Sequence, residues 1–121
     1  MKTLEKEKIV HQVVDEIYEA FPFLWEKFGE NGRERTAEDN YHHLDHLETT
    51  YHLQDISFFL DYTDWLNRVL TSRNVGTPII IDNYQRLKTA VQLLEDSDEE
   101  AAYQYYLDKG IQQLQQAPTE R

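Results

Sequence analysis

Ile9, Val10, Val13, Val14, Ile17 and Phe21 recur in steps of three and four, the stripe of an amphipathic helix, with Thr3 expected as its cap. Pro22 interrupts the stripe, and a short aromatic segment follows in Phe23, Leu24, Trp25 and Phe28. Gly29 and Gly32 predict a loop reaching Arg35. Thr36 with Asp39 three residues on reads as a capping box, opening a second long helix that carries Leu44, Leu47, Tyr51 and Leu53. Asp55 is the expected cap of a third helix, with Ile56, Phe59, Leu66, Val69 and Leu70 on one side. Gly76 closes that region, and Thr77 and Pro78 predict a cap and a first-turn proline for the next helix, along Ile80, Tyr84, Leu87, Val91 and Leu94. Ser97 with Glu100 reads as another capping box, ahead of Ala102, Tyr103, Tyr106, Leu107, Ile111 and Leu114, and Pro118 marks where that helix should fray.

Only Ile79-Ile80-Ile81 has strand propensity, and the chain holds no second such run to pair with it, so helix is expected there too. The prediction is an all-α domain of five or six helices over residues 1–117, with a tail at 118–121. Breaks are expected near Gly29–Arg35, Gln54–Asp55, Asn74–Thr77 and Asp96–Ser97. The expected core includes Phe59, Leu66, Leu70, Leu87, Val91 and Tyr106.

At 121 residues the chain can bury one core. Its hydrophobic content of 40% opposes disorder despite the charge. The net charge of −11 repels nucleic acid and anionic lipid, so neither is an expected partner. With no cysteine, disulfides and thiolate metal sites are excluded. Met1 to Lys8 alternates charge without an apolar stretch, unlike a secretory signal, and no apolar run nears the ~20 residues of a membrane span. A soluble, cytoplasmic protein is the resulting expectation.

Four of the five histidines fall between His42 and His52. On a helix His42 and His46 share a face, His43 and His46 are neighbours, and Asp39 lies one turn earlier. Two histidines and a carboxylate are ligand types for zinc or non-haem iron. A di-iron bundle, however, draws Glu-x-x-His motifs from several helices, whereas Glu16, Glu26 and Glu95 stand alone and His11 is the only other histidine. Haem needs one axial histidine and stays open on this pattern. There is no Gly-x-Ser-x-Gly elbow and no glycine-rich phosphate loop. The expectation is a non-enzyme without metal or cofactor.

Phe58, Phe59, Tyr62 and Trp65 cover an arc too wide for one core-facing stripe. Such an arc fits an element buried on two sides, or one lining a cavity or a dimer face, and Phe58, Tyr62 and Trp65 are the expected homodimer interface.

Residues 39–75 also carry a pattern: Asp39-x-x-His42-His43-Leu44-x-His46-Leu47, Leu53-x-Asp55, Phe59-x-Asp61-Tyr62-x-x-Trp65-Leu66, then Leu70-x-x-Arg73-x-Val75. It resembles the helical sensor domains at the amino end of bacterial regulators, among them the haem-free globin-like domains of stressosome and sporulation proteins. A similar pattern precedes cobalamin-binding domains. The resemblance covers about a third of the chain well, and His42 and His46 stand where tyrosines are common. It implies a globin-like fold whose haem pocket is lost or filled, a homodimer, and a regulatory role, in some relatives with a bound fatty acid. Polar rings at aromatic positions need partners when buried. Any pocket is therefore expected beside Tyr41, His43 and His46, facing Phe59 and Tyr62, with an anionic head group held by protonated imidazole. Two other readings stay open: a helical dimerisation or adaptor module with a filled core and a protein partner, and a haem or metal protein.

Overall fold

Helix formation follows the stripes. The computed structural model describes residues 1–116 and gives them five α-helices and no strand: α1 (Thr3–Ala20), α2 (Phe23–Leu53), α3 (Ile56–Ser72), α4 (Thr77–Ala90) and α5 (Ser97–Gln116), with a 3-10 turn at Val91–Leu93. The expected tail at 118–121, residue 117 and the Pro118 fray point lie outside the described residues. Ile79, Ile80 and Ile81 lie in the first turns of α4. Each helix has two main neighbours in a closed ring: α1 packs on α2, α2 on α3, α3 on α5, α5 on α4, and α4 back on α1. The buried faces meet in one core inside it, containing Phe59, Leu66, Leu87 and Val91. Among the described residues no helix is long and apolar enough to cross a membrane.

The punctuation is less regular than the motifs imply. Thr3 is the first helical residue, not the cap; the Lys2 N–H donates to Glu5, which closes the first turn. Thr36 caps nothing. It lies inside α2, where its hydroxyl donates to the Gly32 carbonyl one turn back, the alternative that a mid-helix threonine uses. Thr77 likewise gives its hydroxyl to the Asn67 side chain, while Gly76 takes the capping position. At the last helix the cap is Asp96, whose carboxylate accepts from the N–H groups of Asp98 and Glu99, so the Ser97 and Glu100 box does not form. Asp55 does cap α3, accepting from Ser57 N–H and hydroxyl.

Two helix ends use left-handed residues other than glycine. Asn74, at φ 68°, ends α3 in a Schellman turn, with Val75 N–H on the Leu70 carbonyl and Asn74 N–H on that of Thr71. Gln54, at φ 54°, does the same work for α2. Leu70 and Tyr106, expected in the core, are only partly buried against it. Leu70 lies in the last turn of α3, beside a surface turn, and the fully enclosed tyrosine of α5 is Tyr103, one turn from Tyr106.

The largest departure is the start of α2. The expected loop between Gly29 and Arg35 is a single elbow at Gly29, whose φ of 66° and ψ of −158° belong to a region open to glycine almost alone. Helix resumes at once. Gly32 is as necessary, since a Cβ there would overlap the Cβ of Phe28. Residues 23–28 thus fold back onto α1, with Trp25 edge-on to Tyr18 and the Arg33 guanidinium over both rings. Arg33 is anchored in turn by an ion pair with Asp15.

Candidate functional site

That elbow closes one side of a cavity of about 140 Å³. Its apolar walls come from Ile17 of α1, Leu24 and Phe28 of the elbow, Leu70 and Val75 at the end of α3, and Ile80 of α4. Polar atoms among the lining residues are mostly committed. Asn83 and Asn40 form a reciprocal amide pair, each nitrogen donating to the other's oxygen at 2.7 and 3.0 Å. The Thr36 hydroxyl meets Tyr18 as well as the Gly32 carbonyl.

His43 is the exception. Its ring is 2% exposed and lines the cavity. Nδ1 shares a 2.6 Å hydrogen bond with the Tyr62 hydroxyl, and the ring lies edge-on to both Tyr62 and Tyr84. Among the described residues no enclosed side-chain nitrogen or oxygen lacks a partner and Nε2 bonds no other side chain or backbone atom, so Nε2 is not fully enclosed, and His43 is one of the residues that line the cavity. Burial, helped by the neighbouring His46 and His42, pushes the His43 pKa down to about 3. Burial also pushes the Tyr62 hydroxyl up, so both partners are neutral near pH 7. A protonated His43 that binds an anion, as the sequence suggested, is therefore replaced by a neutral imidazole.

Beside the cavity runs an open groove between α2 and α3, sharing Asp39, Leu70 and Arg73 with it. His46 lies here, stacked on Tyr62 at 3.7 Å between ring centres and on Phe58 at 5.5 Å, its Nδ1 donating to the His42 carbonyl. Phe58 and Trp65 form the exposed rim, 37% and 52% accessible, and Tyr62 is the buried floor. Of the sequence-predicted residues, His43, His46 and Tyr62 come together, with Phe58 and Trp65 around them. Phe59 lies one layer deeper, stacked on Tyr84 at 5.5 Å. Tyr41 lines neither cavity nor groove, because residues two apart on a helix point to nearly opposite sides.

Sequence reasoning missed Arg35 and Arg73. Both lie at the cavity, and neither forms an ion pair among the described residues, as is true also of Lys8, Lys27 and Lys109, whereas the three described arginines away from the cavity each do. Asp39 is close enough to feel both charges, yet burial is the largest influence on it and raises its pKa. A signal did exist in the sequence: Arg35, Asp39 and His42 or His43 recur at helical spacing. Among the described residues no three His, Asp or Glu side chains cluster in a metal-binding arrangement. In comparisons with known proteins, no family model, no curated protein and no solved structure matches the chain.

Proposed function

We propose that this chain is a non-enzymatic regulatory domain that binds a small, largely apolar ligand in the cavity behind the Gly29 elbow. One observation carries the reading: a buried, neutral imidazole, its Nε2 bonded to no other described residue, lines a space whose walls are mostly apolar. An apolar cavity of about 150 Å³ is large enough for benzene. A fatty-acid-like ligand would have to be short, or leave its tail in the neighbouring groove. Occupancy would stabilise the fold by RT ln(1 + [L]/Kd), and because the walls come from four helices, it would bias how they pack. That is the role implied by the resemblance of residues 39–75 to bacterial sensor domains.

The test is an NMR titration with benzene and phenol. Shift changes centred on Ile17, Leu24, His43 and Ile80 are expected. Their absence with both probes would sink the reading.

A homodimer through the groove is the second reading, favoured by the exposed Phe58 and Trp65 at its rim. Sedimentation at rising concentration decides it, with a Trp65→Glu protein expected to stay monomeric. A wild-type protein that is also monomeric would remove this reading and leave the cavity untouched.

A further inference from the structure

We infer that the cavity's ligand is a compact monocarboxylate, with a ring or branched body inside and its charged end at Arg35 and Arg73. This rests on the cavity being a ligand site, and adds the ligand's size, sign and charge number.

Size follows from volume. About 140 Å³ admits a body of roughly six heavy atoms by comparison with benzene, so a long acyl chain would have to leave its tail outside, in the neighbouring groove. Sign follows from the arginines. In a chain of net charge −11, carboxylates outnumber cations 23 to 12, and each of the other three described arginines meets one. Arg33 meets Asp15, Arg68 meets Asp64, and Arg86 meets Asp82 and Glu16. Arg35 on α2 and Arg73 after α3 approach the cavity from different helices and pair with nothing among the described residues. Two guanidinium groups left free beside an apolar space suit a planar carboxylate.

Charge number follows from Asp39, among the described residues the one carboxylate lining the same cavity. Two arginines and one aspartate leave a single net positive charge there. A monoanion is neutralised, while a dianion would bring its second charge against Asp39. A cation would face both arginines, and a neutral ligand would gain nothing from their charge.

Calorimetric titration with benzoate, its neutral isostere benzamide, the dianion phthalate and the long-chain decanoate tests this directly, beside an R35Q/R73Q double variant. Both arginine side chains are exposed, so the variant is expected to fold. Benzoate should bind at least tenfold more tightly than the other three. The double variant should lose that preference, binding benzoate no more tightly than benzamide. Benzamide equal to benzoate, or phthalate or decanoate preferred, would overturn the ligand class and leave the cavity as a binding site. No binding of any of the four, joined to a silent benzene and phenol titration, would overturn both.

Discussion

His43 divides two regions packed in opposite ways. On one side Phe59 stacks on Tyr84, the Thr63 and Tyr84 hydroxyls share a 2.9 Å hydrogen bond, and α5 comes so near that only Gly110 fits. A Cβ on Gly110 would lie 2.9 Å from the Tyr84 ring and 3.1 Å from that of Phe59. On the other side a space of about 140 Å³ is left against Ile17, Leu24 and Ile80. Both regions are built from large apolar side chains, so composition does not separate them. Backbone path does. Glycine at position 110 lets two helices close in, whereas Gly29 and Gly32 turn residues 23–28 into a wall that stands off from α3 and α4.

The packed region should give the largest effect. Phe59→Ala removes a fully buried ring from its Tyr84 stack and is expected to cost about 3–5 kcal/mol in denaturant unfolding. A cost under about 1 kcal/mol would mean that this side is no tighter than the other.

Next comes the dividing residue itself. The folded pKa of His43, near 3, lies below the unfolded value of about 6.5, so its contribution is fully present above pH 6.5. As pH falls toward 3 the unfolded chain takes up a proton that the folded one refuses. Stability then drops by up to tenfold in the unfolding equilibrium per pH unit. Carboxylates with lowered values, such as Glu48, tilt the curve the same way at lower pH. The comparison is therefore with His43→Asn, which should have a flatter profile between pH 6 and 4.5. Parallel profiles would place the ring in water.

Gly29→Ala tests the elbow, at about 1–3 kcal/mol for forcing a side chain into that backbone region. A neutral result would mean that the wall relaxes easily.

The finest test adds a single carbon to each region. Gly110→Ala meets overpacking of about 1–3 kcal/mol against a helix-propensity gain of ~1 kcal/mol, and should destabilise on balance. Val75→Ile, placing its extra carbon toward the cavity, should be neutral or stabilise by up to about 0.8 kcal/mol. Equal losses at both positions would erase the contrast.

The helices were legible because period and punctuation agreed: Pro22, Asp55 and Gly76 each mark a real boundary. The capping boxes misled because threonine and serine motifs recur by chance, and a nearby competitor won in each case. Gly32 drew the Thr36 hydroxyl, Asn67 drew that of Thr77, and Asp96 stood one residue ahead of Ser97. Helical spacing was enough to bring His43 and His46 toward Tyr62. It was not enough to show that one ring is enclosed and the other lies in the groove, since that depends on how closely α3 approaches. The cavity was illegible for a similar reason: a glycine pair reads as a loop, and nothing local tells a loop from an elbow between two helical segments. Globin-like topology remains an implication of the residue 39–75 pattern, while the five-helix, all-α architecture is what the chain adopts.

The Asn40 and Asn83 pair has a consequence for the history of the sequence. Each amide gives one N–H to the other's oxygen across the gap between α2 and α4, and Asn40 donates to the Thr36 carbonyl besides. A lone change to aspartate would set oxygen against oxygen, and a lone change to leucine would strand an amide in the core at about 1–3 kcal/mol. A single change at either position therefore starts at a disadvantage that the matching change removes, and in diverging copies of this chain residues 40 and 83 should tend to change as one inherited character.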